Sequence, residues 1–140
     1  MMEPIILKYD VDGEDFTSAG EASSATKNKL KQLGIAPDII RRIAIAMYEG
    51  EINMVIHAGG GEAEVIIDEA KITVILSDHG PGIADVDLAM QEGYSTAPDE
   101  VRSMGFGAGM GLPNIKKYSD DLKIDTEVGV GTTLIITINL

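Results

Sequence analysis

The chain contains no cysteine. That removes disulfide frameworks, thiolate zinc sites and cysteine nucleophiles together, and makes an unstapled cytoplasmic protein the expectation. No apolar run approaches the roughly 20 residues that a membrane helix needs, and Met1-Met2-Glu3-Pro4 lacks the basic-then-apolar pattern of a secretory leader. A soluble chain is expected. Positive charge is scarce as well: 11 Lys and Arg stand against 23 Asp and Glu, a formal net charge of −12. Such a surface repels nucleic acid and anionic lipid headgroups, so neither is expected as a partner. An anionic ligand has to be held locally, by backbone N–H groups, a metal or a few basic side chains.

Familiar catalytic patterns are missing too. There is no Gly-Lys pair for a P-loop, and no frame satisfies G-x-G-x-x-G, which excludes Walker and Rossmann phosphate loops. Gly93-Tyr94-Ser95-Thr96-Ala97 lacks the second glycine of a nucleophile elbow, and both histidines, His57 and His79, precede the serine, the reverse of the hydrolase order. Glu49, His57 and Asp78 are metal-ligand types, but no H-x-x-x-H or similar paired spacing closes a tetrahedral site.

What is present fits one domain, since 140 residues suffice for a single core and not for two ordinary ones. Ile5–Val11 reads as a strand, Asp12–Asp15 as a turn, and about Phe16–Leu33 as a helix ended by Gly34. Pro37-Asp38 opens a second helix whose apolar residues Ile39, Ile40, Ile43, Ala46 and Met47 recur at helical spacing, with Ala58 as its end before Gly59-Gly60-Gly61. Ala63–Asp68 and Lys71–Ser77, joined by Glu69-Ala70, read as a hairpin. Gly80–Gly111 is a long Gly, Ser, Pro and Asp-rich segment with one short helix at Val86–Gln91. Leu112–Tyr118 reads as a helix, followed by strands Leu122–Thr126 and Thr132–Ile138 around a Gly129-Val130-Gly131 turn. The sum is an α+β, two-layer sandwich, a mixed and mostly antiparallel sheet with helices on one face.

Three features carry chemistry. Glu49, Asn53 and His57 stand at i, i+4 spacing, one polar stripe on an apolar helix, about 6 Å of rise apart. A solvated face is one reading of that stripe and a site is the other. Asp78-His79-Gly80-Pro81-Gly82 sets a carboxylate at a strand end before two glycines. The carboxylate only accepts hydrogen bonds, which suits an exocyclic amine, and the glycines allow close backbone approach to a flat ligand; an ordinary Asx-turn is the alternative. Gly105-Phe106-Gly107-Ala108-Gly109-Met110-Gly111 then leads into a helix whose first N–H groups and positive dipole end suit phosphate. Arg102, Lys116 and Lys117 are the basic residues near that loop, and a solvated surface is the expected role for them.

Glu49-x-x-x-Asn53, Asp78-x-Gly80-x-Gly82, Gly105-x-Gly107-x-Gly109-x-Gly111 and Gly129-x-Gly131-Thr132, in that order over about Ile39–Leu140, resemble the GHKL superfamily of gyrase, Hsp90, histidine kinase and MutL ATPases. The resemblance implies a Bergerat fold. It implies that Asn53 supplies an oxygen to Mg²⁺, that Asp78 accepts from the adenine amine, and that Gly80 and Gly82 pack near the base. Gly105, Gly107, Gly109 and Gly111 would surround the phosphates of ATP, and Thr132 would support the adenine end. Glu49 would orient or deprotonate an attacking hydroxyl. Within the superfamily, Gly80-Pro81-Gly82-Ile83, Gly93-Tyr94-Ser95-Thr96 and Gly107-Ala108-Gly109 before Leu112-Pro113 look most like the stand-alone anti-sigma factor and switch serine/threonine kinases, the RsbT-like branch nearest.

That likeness implies a kinase acting on a protein antagonist of the STAS type, with a sigma factor or another regulator as further partner and a homodimer as a compatible assembly. A non-catalytic ATP-dependent binding module and an ATPase subunit of a larger complex are the alternatives. Two departures stand out: Gly50-Glu51-Ile52 puts a glycine and an extra acid inside the motif helix, and Gly111 lengthens the glycine loop by one repeat. A helix-interior glycine costs about 0.5–1 kcal/mol against alanine, so close packing is the expected reason for Gly50.

Overall fold

The structure, a computed structural model of the chain, describes residues 3–12, 20–83, 86, 90 and 111–140, the side chain of His57 excepted. Five strands form one sheet in the order β1-β2-β3-β5-β4: β1 (Ile5–Asp12), β2 (Gly60–Ile67), β3 (Lys71–Ser77), β4 (Asp121–Glu127) and β5 (Gly131–Asn139). All four pairings are antiparallel. The β2–β3 turn is held by Asp68, whose carboxylate accepts the Ala70 and Lys71 amides at 2.7 and 2.9 Å. These two amides lower its pKa from the ordinary carboxylate value.

Period-two burial makes one sheet face apolar. Val65, Ile72, Val74, Leu76, Leu134, Ile136 and Ile138 are buried on it, with Val65 opposite Val74 and Val74 opposite Ile136 in one cross-sheet row. Helices α1 (Glu21–Gln32), α2 (Pro37–Ala58) and α3 (Gly111–Tyr118) cover that face through Leu30, Ile43, Met47, Met54 and Ile115. Each such side chain contributes about 1.5–3 kcal/mol by leaving water. The result is the expected two-layer α+β sandwich. Among the described residues no helix is long and apolar enough to cross a membrane.

Helix α2 positions most of the site, and its ends follow the local chemistry. Pro37 occupies the first turn, where a missing N–H is harmless, and Gly59 closes the helix at φ 71°, its amide donating to the Met54 carbonyl. Gly50 lies close against the sheet and α3: a β-carbon there would collide with the Leu76 side chain and touch Ile115. Close packing is therefore why a glycine interrupts this helix. Arg42, two turns earlier, donates through Nε to the Tyr118 carbonyl at 3.2 Å and through a terminal nitrogen to Asp120 at 3.1 Å, which fastens the C-terminal end of α3 to α2.

One boundary is described only in part and another differs from the sequence reading. Helix α1 is described from Glu21, after Gly20 at φ 99°; residues 13–19, with most of the expected turn and the expected helix start at Phe16, lie outside the described residues. Gly60 and Gly61 do not belong to a loop after α2 but open β2, paired with Asp12 and Val11. Most of the Gly80–Gly111 segment lies outside the described residues. Of the helix expected at Val86–Gln91, the structure describes Val86 and Met90, the Met90 amide donating to the Val86 carbonyl at 3.0 Å; the rest lies outside the described residues.

Candidate functional site

Asp78 directly follows β3 and extends the sheet by one step. Its amide donates to the Thr132 carbonyl at 2.9 Å, and its Oδ1 accepts the amides of Thr132 at 3.1 Å and Gly80 at 3.0 Å. Both an Asx-turn and a strand-end lock thus use the same oxygen. Oδ2 has no hydrogen bond among the described residues, and the side chain is half-buried. One oxygen is structural and the other is open.

Protein contacts alone would require the two glycines after Asp78. A β-carbon on Gly80 would lie 2.5 Å from the Ala58 β-carbon, at the end of α2, and one on Gly82 would lie 2.5 Å from the Glu127 carbonyl, with φ at 79° besides. Sequence reasoning assigned them to close approach and named a flat ligand as the object. In the structure both glycines also lie close to protein, α2 on one side and the β4–β5 turn on the other. Because Gly80 rests on Ala58, the Asp78 loop is anchored about 7.5 Å of helical rise beyond Asn53.

Glu49 and Asn53 both lie on α2, both half-buried, one turn apart, and neither side chain has a hydrogen-bond or ionic partner among the described residues. Half-buried polar groups without protein partners are available to a ligand. His57 is on the same helix, its side chain outside the described set. Gly111 begins α3, so the glycine-rich segment does lead directly into a helix N-terminus. Gly105, Gly107, Gly109 and Arg102 lie outside the described residues. Lys116 and Lys117 are exposed, Lys117 with its ammonium 5.5 Å from the Tyr118 ring centroid.

Thr132 is 8% exposed and its hydroxyl lies 2.9 Å from that of Thr126. Thr126, which the sequence reading passed over, accepts the Ile83 amide at 2.8 Å and so ties the Asp78–Ile83 segment to β4. The Gly129 amide donates to Pro81 at 2.9 Å and makes a second tie between that segment and the β4–β5 turn.

Glu51 is the other residue that was missed. It is 2% exposed, and its carboxylate accepts the amides of Gly20, Ala22 and Ser23 and the Ser23 hydroxyl, at 2.8, 3.2, 3.1 and 2.7 Å. It caps α1 from another helix, satisfying amides that have no partner within α1. A signal was present: Glu51 falls on the apolar stripe between Met47 and Met54, where a carboxylate must be paired.

The family described as "Histidine kinase-, DNA gyrase B-, and HSP90-like ATPase" matches residues 38–140. Among curated proteins, the "Serine/threonine-protein kinase RsbT" of Bacillus subtilis is 32% identical over 112 residues, 77% of this chain and 78% of that protein. The "Anti-sigma F factor" of Clostridium beijerinckii is 32% identical over 111 residues, 75% of this chain and 74% of its own length. That of Clostridium acetobutylicum is 28% identical over 130 residues, 89% and 84% of the two chains. With the match spanning α2, the Asp78 loop and the whole β4–β5 hairpin, the chain belongs to the histidine kinase-, DNA gyrase B- and HSP90-like ATPase family.

Proposed function

We propose that the 140 residues act as one cytoplasmic domain that binds Mg-ATP and transfers its γ-phosphoryl group to a serine or threonine of a protein antagonist in a partner-switching module. The carrying observation is Glu49: a half-buried carboxylate one helical turn before Asn53, without a protein partner among the described residues. The names of the relatives, a serine/threonine-protein kinase and anti-sigma F factors, point the same way.

Each residue has a chemical task. Asp78 accepts from the adenine amine through Oδ2, and Thr132 stands beside it at the base end. The first turn of α3, entered from Gly105, Gly107, Gly109 and Gly111, faces phosphate with free amides. The donor set fits magnesium, since Asn53 offers one hard amide oxygen and Mg²⁺ fills its octahedron mostly with water and nucleotide oxygens. Held by Asn53, such an ion would supply positive charge against the phosphates. Glu49 takes the proton of the acceptor hydroxyl as that oxygen bonds to the γ-phosphorus and the bond to the ADP oxygen breaks.

The experiment is incubation with Mg-ATP and the protein that copurifies with the chain, followed by detection of phosphoserine or phosphothreonine. Phosphotransfer that is lost in Glu49→Gln is expected; transfer unaffected by that change sinks the kinase reading. The anti-sigma names favour a second reading, in which ATP governs capture of a sigma factor or STAS-type regulator by a homodimer. Under it, nucleotide-dependent capture survives Glu49→Gln and is lost in Asp78→Asn.

A further inference from the structure

One face of the sheet is covered by α1, α2 and α3, and the other carries four isoleucines. Ile6 is paired with Ile66 and Ile75 with Ile135, while Ile66 lies opposite Thr73, two residues before Ile75 on the same face. The four side chains form one diagonal stripe across β1, β2, β3 and β5, three strand spacings or about 14 Å long. They stand outside the core: Ile6 is 53% exposed, and Ile66, Ile75 and Ile135 are half-buried. An antiparallel sheet with one face in water ordinarily sets polar residues on that face. The stripe departs from this pattern on four of the five strands.

Charge borders the stripe unevenly. At the β1–β2 end lies a cavity of about 270 Å³ whose lining includes Lys8, Asp10, Glu62, Glu64, Ile75 and Ser77. Three carboxylates and one ammonium share it. Asp10 lies directly opposite Glu62, a like-charge pair that costs stability in a sheet. None of the three carboxylates has an ionic partner among the described residues. At the other end Asp121 and Asp125 flank Lys123 along β4, all three exposed. A second copy laid on this face would set one excess of carboxylates against another, whereas a basic element is attracted. The length of the stripe suits two to three turns of an α-helix, the kind of element that already covers the opposite face.

We propose that the open face of the sheet is a docking surface for an amphipathic helix of a partner protein. The apolar side of that helix lies along Ile6, Ile66, Ile75 and Ile135, and its flanking Lys or Arg residues meet the carboxylates, one of them in the cavity beside Glu62 and Glu64. The surface is across the sheet from α2, so the partner is held without covering Glu49 or Asn53. It goes beyond the nucleotide site and does not rest on it.

The test is methyl NMR titration of the full chain with a synthetic helical peptide that carries leucine along one side and lysine along both flanks. One control peptide has the same composition in scrambled order, and another has glutamate in place of lysine. The methyl signals of Ile6, Ile66, Ile75 and Ile135 shift, and those of Ile72 and Ile136, on the covered side, stay. The scrambled peptide binds about tenfold more weakly or worse, and the glutamate peptide does not bind. Ile75→Thr keeps a strand-forming residue and weakens binding about tenfold. Glu62→Gln with Glu64→Gln weakens it about fivefold and reduces its dependence on salt. A scrambled peptide that binds equally well overturns the proposal, as do absence of binding and shifts confined to other methyl groups. Concentration-dependent self-association that Ile75→Thr abolishes overturns it in favour of a second copy. Should Ile75→Thr not fold, unchanged affinity in the Glu62→Gln, Glu64→Gln double variant overturns it equally.

Discussion

Ser23 gives both its amide and its hydroxyl to Oε1 of Glu51, at 3.1 and 2.7 Å, across 28 residues of sequence. A helix on one side of the chain is therefore capped by the helix that carries the candidate catalytic acid. Glu51→Ala strips four donors of their acceptor, of which the amides near α1 are buried; a loss of about 3 kcal/mol is expected from the cap and the unsatisfied donors together. Glu51→Gln keeps one acceptor oxygen and loses less. Urea denaturation checks this as a lowered midpoint with an unchanged slope.

Gly50→Ala sets two effects against each other. The methyl group collides with Leu76, which is 1% exposed and has little room to move. Overpacking costs about 1–3 kcal/mol and the better helix former returns about 1 kcal/mol, so a net loss near 1 kcal/mol is expected. In a Leu76→Ala background the sign reverses and the same change stabilises. A double-mutant cycle by chemical denaturation reads both.

Asp78→Asn separates binding from folding. The amide oxygen still accepts the Gly80 and Thr132 amides, so the melting temperature without nucleotide stays within a few degrees of wild type. The amide nitrogen replaces the open oxygen and, under the proposed assignment, opposes the adenine amine, so Mg-ATP is expected to bind about tenfold more weakly or worse. A thermal-shift titration shows both, since ligand at a hundred times its Kd stabilises by about 2.7 kcal/mol.

Asp120 makes stability depend on acid. The Asn139 amide and then the Arg42 guanidinium hold its carboxyl below the ordinary carboxylate value. A depressed folded pKa means stability that is present above the unfolded value, near pH 4, and lost as pH falls through the folded one. Wild type is therefore more stable than Asp120→Asn at pH 7, and the gap closes as urea midpoints are followed below pH 4. A gap constant down to pH 2 contradicts the assignment.

Local chemistry made much of this fold readable before any coordinates. Pro37 and Gly59 bracket α2 at the expected residues, and the Asp68 turn sits where Glu69-Ala70 parts two Val and Ile-rich runs. The placement of Glu49 and Asn53 on one helical stripe, and of Asp78 at a strand end, was readable from spacing alone. The start of α1 was not, because its cap is Glu51, 31 residues from Gly20, and no local pattern reports a distant cap. Thr126 was hidden differently: a threonine in a β-strand needs no explanation beyond its propensity, and its three oxygen contacts arise only when β4, β5 and the Asp78 loop converge.

The exchange between Asp78 and Thr132 has a thermodynamic consequence. The Asp78 side chain takes the place of a backbone carbonyl and adds a rung to the β3–β5 ladder, so its rotamer is set before any ligand arrives. Freezing a mobile side chain on association costs about 0.5–1.5 kcal/mol, and at this position that entropy has already been lost in folding. Under the proposed assignment of Asp78 to the base, the ordering that accompanies recognition falls on the nucleotide.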